Sequence, residues 1–372
     1  MAEESNKNLA LYRKYRPRTF EEVVGQEHIT KTLANQILAG KLSHAYLFTG
    51  SRGTGKTSVA KIFAKAVNCE NNVTGSPCGE CETCKRLAAE NDINIVEIDA
   101  ASNNRVDDIR ELREKVKFAP IGAKYKVYII DEVHMLSDSA FNALLKTLEE
   151  PPKYVIFILA TTEVQKLPAT ILSRCSRFDF RLLSVENLCK VLFGVFEKEG
   201  IDAEPEAVKL IAAAGEGSVR DTLSIADSIN AYASGHITKE DVLKVLGTTD
   251  HELLITFFDK IIDKDIGGVL EEINKIDASG KNLAIFAKDA AKHARDLLIC
   301  KTCSEPNEIL NLPDEIVEKF IAQSERTTDK QLIGYMQNFA ASEADLRYAL
   351  STRLLLENVA ISCISGDFQK KN

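Results

Sequence analysis

Four short apolar runs stand out in the first half of this chain, at 45–49, 94–99, 126–131 and 154–160. They show little polar alternation, so each predicts a strand buried on both faces, as in a parallel sheet. Between them lie stretches with apolar residues at three- and four-residue spacing, such as Ser58 to Ala66. Strand–helix alternation from about Lys7 to Phe180 predicts an α/β domain whose parallel sheet is covered by helices on both faces. From about Leu182 the strand signal stops. Ala207 to Ala214 predicts a helix ended by Gly215 and Gly217, and Ser218 to Tyr232 predicts another with Asp221 in its first turn. Thr238-Lys239-Glu240-Asp241 resembles a capping box before a helix at 242–246. The remainder is helical, with Leu346, Tyr348, Ala349, Leu350, Leu354, Leu355, Val359 and Ile361 surrounding one long predicted helix. We therefore expect an α/β domain at 1–181, a small helical domain at 182–246, an all-helical domain at 247–366 and a tail at 367–372.

Composition changes this picture little. The 372 residues suit two or three domains, and 45% hydrophobic with 27% charged residues is ordinary for a soluble globular protein. A net charge of −8 argues against a wholly basic nucleic-acid coat, although a local basic surface remains open. The longest apolar run, Tyr154 to Ala160, is too short to span a bilayer, and the polar, acidic N-terminus is no secretory signal. A cytoplasmic protein without a membrane partner is expected.

Candidate chemistry changes it more. Gly50-Ser51-Arg52-Gly53-Thr54-Gly55-Lys56-Thr57 fits G-x-x-x-x-G-K-[ST], between a predicted strand and a predicted helix that opens near Ser58. Glycines let backbone N–H groups turn inward and approach phosphates, and the helix N-terminus adds partial positive charge. Lys56 would reach the β/γ-phosphates and Thr57 would ligate Mg²⁺. The run Lys126 to Ile130 ends in Asp131-Glu132, at the carboxyl end of a strand, where α/β sheets bind ligands. Asp131 can hold Mg²⁺ through water, and Glu132 can orient or deprotonate an attacking water. Together these features argue for hydrolysis of ATP or GTP.

Four of the nine cysteines fall close together, as Cys69-x8-Cys78-x2-Cys81-x2-Cys84. Without a signal peptide, the cluster favours a metal site in a reducing compartment over disulfides. Four thiolates suit a closed, structural Zn²⁺ site; four reduced thiols or an iron–sulfur cluster are the alternatives. Cys300-x2-Cys303 reads as structural or as chance.

Other polar signals are open to two readings. Tyr12-Arg13-Lys14-Tyr15-Arg16-Pro17-Arg18 could stack on a base and contact phosphates, or be a solvated basic turn. Val23-Val24-Gly25-Gln26 could form an apolar pocket for a purine. Thr161 and Thr162 end the strand after the acidic pair, where a hydroxyl would sit near the γ-phosphate. Arg174, in Ser173-Arg174-Cys175, could be a surface arginine or a finger donated to a neighbouring subunit's phosphates. Arg220, in Gly217-Ser218-Val219-Arg220-Asp221, could reach back to the same phosphates.

With these stretches in place the chain resembles the AAA+ ATPases. Among them it resembles the gamma/tau subunits of the bacterial DNA polymerase III clamp loader. The likeness rests on Tyr12–Pro17 with Thr19-Phe20, Val23–Gln26, Gly50–Thr57, the four-cysteine insertion, Ile129–Leu136, Phe141–Pro152, Ala160–Thr162, Ser173–Cys175 and Gly217–Asp221. It is strong over 10–235 and weaker over the last third. It implies an ATP site of Tyr12, Arg16, Val24, Gly50, Arg52, Gly53, Thr54, Gly55, Lys56, Thr57, Ser58 and Arg220, with Mg²⁺ on Thr57 and Asp131 and Zn²⁺ on the four cysteines. Arg220 is then sensor 2 in cis, Arg174 acts in trans, and Thr161 or Thr162 is sensor 1. The implied partners are delta, delta-prime and further gamma/tau subunits in a five-membered ring segment, the sliding clamp, and primer–template DNA held through phosphates. Arg105 is the best match for such a phosphate contact. No polymerase- or helicase-binding tail follows residue 366, so a gamma-length or shortened form is expected. A branch-migration helicase would not need the cysteines. A non-hydrolysing scaffold subunit would not need intact Gly55-Lys56-Thr57 and Asp131-Glu132.

Overall fold

Five segments form one parallel sheet: β1 (Ala45–Thr49), β2 (Ile95–Asp99), β3 (Lys126–Asp131), β4 (Val155–Thr161) and β5 (Ser176–Asp179). Their order is β2-β3-β4-β1-β5, with every pairing parallel. The computed structural model describes residues 9–87, 92–104, 106–233, 235–246, 251–278, 282–310, 312, 314–349 and 351–366. Contacts divide the chain into two units, Met1–Leu246 and Gly247–Asn372. Arg105 lies outside the described residues.

The first unit carries α1 (Leu11–Lys14), α2 (Glu27–Leu38), α3 (Lys56–Ala66), α4 (Glu82–Arg86), α5 (Val106–Val116), α6 (Asp138–Glu149) and α7 (Ala169–Leu172). Successive strand residues point to opposite faces, so the apolar runs serve two cores at once. Leu47, Tyr128, Ile130, Phe157 and Leu159 meet Ile109 and Leu112 of α5 and Leu144 of α6. Phe48, Val127, Ile129 and Ile158 meet Ile29 and Leu33 of α2 and Val59 and Phe63 of α3. A helical layer follows: α8 (Val185–Glu199), α9 (Pro205–Ala214), α10 (Val219–Tyr232) and α11 (Lys239–Leu246). Its core includes Leu188, Leu192, Ile211, Leu223 and Val242, and Leu11 from the N-terminal segment joins it.

The pattern misses several features for physical reasons. β5 escapes because Ser176-Arg177-Phe178-Asp179 is an edge strand with only alternate residues part-buried. The strand signal does not end at residue 182, since β6 (Asp202–Ala203) and β7 (His236–Ile237) form a two-residue parallel pair. Asn94 stays outside β2 because its buried side chain exchanges hydrogen bonds with Ile121 N–H and C=O. α11 opens at Lys239 rather than 242, because Asp241 N–H donates to Thr238 Oγ1 and Thr238 N–H donates to Asp241 Oδ2.

The second unit holds α12 (His251–Ile262), α13 (Ile266–Ala278), α14 (Leu283–Thr302), α15 (Pro306–Leu310), α16 (Asp314–Glu325), α17 (Asp329–Tyr348) and α18 (Thr352–Ser365). Phe257, Phe258, Phe286 and Phe339 meet in its core, and the Phe257 and Phe286 rings cross edge to face at 5.0 Å. The one long terminal helix expected from apolar spacing is two helices. Ala349 takes extended backbone, and Ser351 caps the next helix by accepting from Leu354 N–H. A serine side chain that can satisfy a helix N-terminus favours a start over a continuation. Among the described residues, no helix is long and apolar enough to cross a membrane.

Leu144 is fully buried between α6 and the sheet, whereas Val73 is 83% exposed. Leu144→Ala should cost about 2–5 kcal/mol of unfolding free energy. Val73→Ala should change it by less than about 0.5 kcal/mol. Denaturant titration of the two variants against the parent checks both.

Candidate functional site

The turn from β1 into α3 is built on three left-handed glycines, Gly50 (φ 144), Gly53 (φ 74) and Gly55 (φ 100). Two are also pinned by close neighbours. A Cβ on Gly50 would lie 2.4 Å from the Phe180 carbonyl oxygen, and one on Gly53 would lie 1.9 Å from Ser218 Oγ. Gly55 caps α3, leaving the first N–H groups of that helix facing the loop. Lys56 is 6% exposed, and its Nζ donates to the Gly50 and Ser51 carbonyls at 2.7 and 2.8 Å. Burial pushes its ammonium below the ordinary lysine value, while Glu132 and Asp131 pull it back up.

Across the crevice, β3 ends in the acidic pair. Thr57 Oγ1 donates to Asp131 Oδ2 at 2.7 Å, and Glu132 N–H donates to Asp131 Oδ1 at 3.0 Å. Glu132 sits at φ 46, a left-handed backbone that costs a non-glycine residue about 1–3 kcal/mol. The strain turns its side chain toward the end of β4. There Thr162 donates from both N–H (3.1 Å) and Oγ1 (2.9 Å) to Glu132 Oε2. Thr161 is fully buried, and its hydroxyl meets His134 Nδ1 at 3.0 Å instead. Of the two candidate threonines, Thr162 is thus the one on the carboxylate.

These groups border one cavity of about 1210 Å³. Arg52, Gly53, Thr54, Gly55, Lys56, Thr57 and Ser58 form its loop wall, with Asp131 and Glu132 opposite. Tyr12, Arg16, Val23 and Val24 form a third wall, and Arg220 and Leu223 of α10 a fourth. The Arg220 guanidinium carbon lies 5.1 Å from the Tyr12 ring centroid, a cation–π contact. Gly50, Thr161 and Thr162 do not line the cavity.

The loop and the helical layer are joined directly. Val219 N–H, in the first turn of α10, donates to the Gly53 carbonyl at 3.2 Å. Gln26 does not face the cavity; its buried amide bonds Arg181 C=O (2.7 Å) and N–H (3.3 Å). The N-terminal segment is divided in use. Tyr12, Tyr15 and Arg16 border the cavity, while Lys14 Nζ and the Tyr15 hydroxyl both reach Glu199 at 2.5 Å, and Leu11 N–H donates to Asp227. Burial, then the bond to Glu199, pushes the Tyr15 phenol up to about 12. Sequence reasoning assigned no site role to Glu199, Ser218 or His134; Ser218 carried the signal of a helix cap and His134 that of a residue three positions after Asp131.

Arg174 is not brought to this cavity. It is half-buried and donates to Glu149 Oε1 at 2.8 Å and Thr170 C=O at 2.9 Å.

Cys69, Cys78, Cys81 and Cys84 converge, with all four sulfurs within 4.8 Å of one another. Tetrahedral Zn–S bonds of about 2.3 Å place sulfurs about 3.8 Å apart, so the donor set fits zinc. All nine cysteines are free. Backbone N–H groups of Cys78, Cys81 and Cys84 donate to the sulfurs of Cys69, Cys78 and Cys81 at 3.3–3.4 Å. Burial opposes charge on Cys81, yet N–H donors from Glu70 and Cys84 pull it down to about 6; burial pushes Cys84 up. Cys300 is buried near the end of α14, with Cys303 just beyond.

Three family models match in succession. They are the DNA polymerase III delta subunit over 25–184, the DNA polymerase III clamp loader subunit ATPase lid domain over 187–235, and DNA polymerase III subunits gamma and tau domain III over 237–367. DNA polymerase III subunit tau of Bacillus subtilis (strain 168) is 44% identical over 97% of this chain and 64% of its own length. The Escherichia coli (strain K12) subunit tau is 40% identical over 95% of this chain and 55% of its own. DNA polymerase III subunit gamma of Buchnera aphidicola is 40% identical over 73% of this chain and 75% of its own. The chain belongs to the DNA polymerase III gamma/tau family. It spans 64% and 55% of the B. subtilis and E. coli relatives. A Thermotoga maritima RuvB branch migration motor aligns at 21% identity over 67% of this chain and 79% of that chain, with a TM-score of 0.48.

The Glu199 contact predicts a pH dependence. Hydrogen bonds from Lys14 and Tyr15 hold its carboxyl below the usual 4.5. A depressed carboxylate stabilises fully above its unfolded value and loses that contribution as pH falls through the folded one. Glu199→Gln should therefore destabilise the chain at pH 7. The difference in Tm from the parent should narrow as pH falls below 4.5. Thermal melts between pH 7 and 3 measure it.

Proposed function

We propose that this chain is an ATPase subunit of a bacterial clamp loader, using ATP binding and hydrolysis to open a sliding clamp and place it on primer–template DNA. The observation that carries this reading is the meeting of Thr57 and Asp131 at 2.7 Å. It joins phosphate loop and acidic strand end beside one cavity, the arrangement nucleotide hydrolysis needs.

ATP would lie along the loop with its base near Tyr12, Arg16 and Val24 and its phosphates on the α3 N-terminus. Lys56 would exchange the Gly50 and Ser51 carbonyls for phosphate oxygens. Mg²⁺, held by Thr57 and through water by Asp131, would neutralise phosphate charge. Glu132, held by Thr162 as sensor 1, would orient the attacking water. Arg220 would contact the phosphates in cis and report occupancy to the helical layer, at 182–246. The helical part at 247–366 would join delta, delta-prime and further gamma/tau subunits. DNA would be held through its phosphates, without base reading. Arg174 would leave Glu149 to enter a neighbouring subunit's site. A cytoplasmic setting and a structural zinc on the four cysteines complete the reading.

The test mixes two variants in the assembled complex. Lys56→Ala should lose ATP turnover. Arg174→Ala should keep ATP affinity but lose turnover, by about a thousandfold at intersubunit sites. Mixed complexes can place a wild-type Arg174 beside an intact loop, so they should recover activity. Normal turnover by Lys56→Ala would overturn the ATPase assignment; no recovery in assembled mixtures would remove Arg174 from its trans role.

For zinc, elemental analysis of freshly prepared protein should find one ion per chain. Cys81→Ser should release it and lower Tm, because closing the tetrahedron contributes folding energy. Metal-free protein with an unchanged Tm would remove zinc from the account.

A further inference from the structure

Outside the residues assigned above, one side chain touches both the Glu132 carboxylate and the Thr161 hydroxyl. His134 follows the acidic pair in a short 3-10 turn, Val133–Met135, and its side chain is only 6% exposed. Nδ1 lies 3.0 Å from Thr161 Oγ1 and 3.4 Å from Glu132 Oε2. Nε2 lies 3.3 Å from Glu163 Oε1. Thr161 Oγ1 also accepts from Glu163 N–H at 3.0 Å, and Glu163 pairs with Lys166 at 2.8 Å. The imidazole is thus held on both edges, wedged between the end of β4 and the Glu132 carboxylate.

We infer that His134 is a positioning residue for Glu132. The inference rests on Glu132 being the group that orients water in ATP hydrolysis. Glu132 has strained backbone and a side chain with several rotamers, and Thr162 grips only Oε2. Both Thr162 bonds converge on that one oxygen. The His134 ring flanks the same oxygen, with Nδ1 3.4 Å away, and so narrows the space into which the carboxylate can swing. Thr161 and Glu163 keep the ring from turning away. A general base must be aimed closely, because displacement by about 1 Å can cost about 100-fold in rate. His134 itself need touch neither nucleotide nor water.

The experiment measures steady-state ATP turnover, ATP affinity and Tm for the full chain assembled with its partner subunits. His134→Ala should lower kcat about 10- to 100-fold. ATP affinity should stay within about threefold, since the loop and Arg220 are untouched. Two isosteric variants separate positioning from packing. Asparagine places its amide where Nδ1 lies, so His134→Asn should recover most of the lost kcat. Glutamine reaches only toward the Nε2 position, so His134→Gln should recover little. A kcat for His134→Ala within twofold of the parent overturns the inference. Equal kcat for the asparagine and glutamine variants also overturns it, even if alanine unfolds the site, because the role would then be bulk alone. Failure of the underlying ATPase reading looks different: the parent itself would not hydrolyse ATP in a Lys56-dependent way.

Discussion

The hydrogen bond between Thr57 and Asp131 depends on an accurately built sheet. Thr57 opens α3, just after β1, and Asp131 ends β3; β4 lies between those strands. For their side chains to meet at 2.7 Å, all three strands must end level. The parallel register provides this, pairing Thr49 with Thr161 and Ile130 with Leu159. A one-residue slip would send every side chain of a strand to the opposite face, into a core packed for different shapes. Tyr128, Phe157 and Leu47 on one face, and Phe48, Ile129 and Ile158 on the other, therefore hold the polar groups at the strand ends in line.

Around that contact the polar residues are held in layers. Asp131 is held by Thr57 and by the Glu132 N–H, Glu132 by Thr162, and Thr161 by His134 and Glu163. Each group has at least one partner from a distant segment: Thr57 for Asp131, Thr162 for Glu132 and His134 for Thr161. This is how a strained residue such as Glu132 persists: surrounding contacts over-determine its backbone. The buried Lys56 is likewise kept by two loop carbonyls, which satisfy an ammonium that burial alone would penalise.

The helical layer of the first unit is coupled to the phosphate loop through short, specific contacts. Gly53 has no side chain, so Ser218 and the start of α10 can approach it, and its carbonyl takes the Val219 N–H. The N-terminal segment adds a second tie, with Leu11 in the layer's core and Lys14 and Tyr15 on Glu199. Any ligand that moves the loop or Tyr12 would thus be felt by α10. The cysteine cluster is tied elsewhere: Ser76 bridges Phe20 N–H and Glu21, and Arg86 reaches the Gly122 carbonyl. It braces loops and does not border Asp131 or Glu132.

Much of this was legible along the chain because it rests on local rules. The phosphate loop needs glycines at fixed spacing, buried strands need unbroken apolar runs, and closely spaced cysteines suit one metal ion. The matching stretches also sufficed to place the chain in its family. Less legible were features whose signal is a partner far away in sequence. β5 is an edge strand with a charged exterior, so its composition does not declare it. The split between α17 and α18 depends on a serine cap that apolar spacing cannot reveal. Gln26 reads as part of a pocket until Arg181, 155 residues away, claims its amide. Thr161 and Thr162 are adjacent and chemically alike, yet alternation along β4 sends one hydroxyl to His134 and the other to Glu132. Residue type and spacing determined which chemistry this chain carries. Only folding decided which atoms meet, because strand ends, loops and caps draw their partners from distant segments.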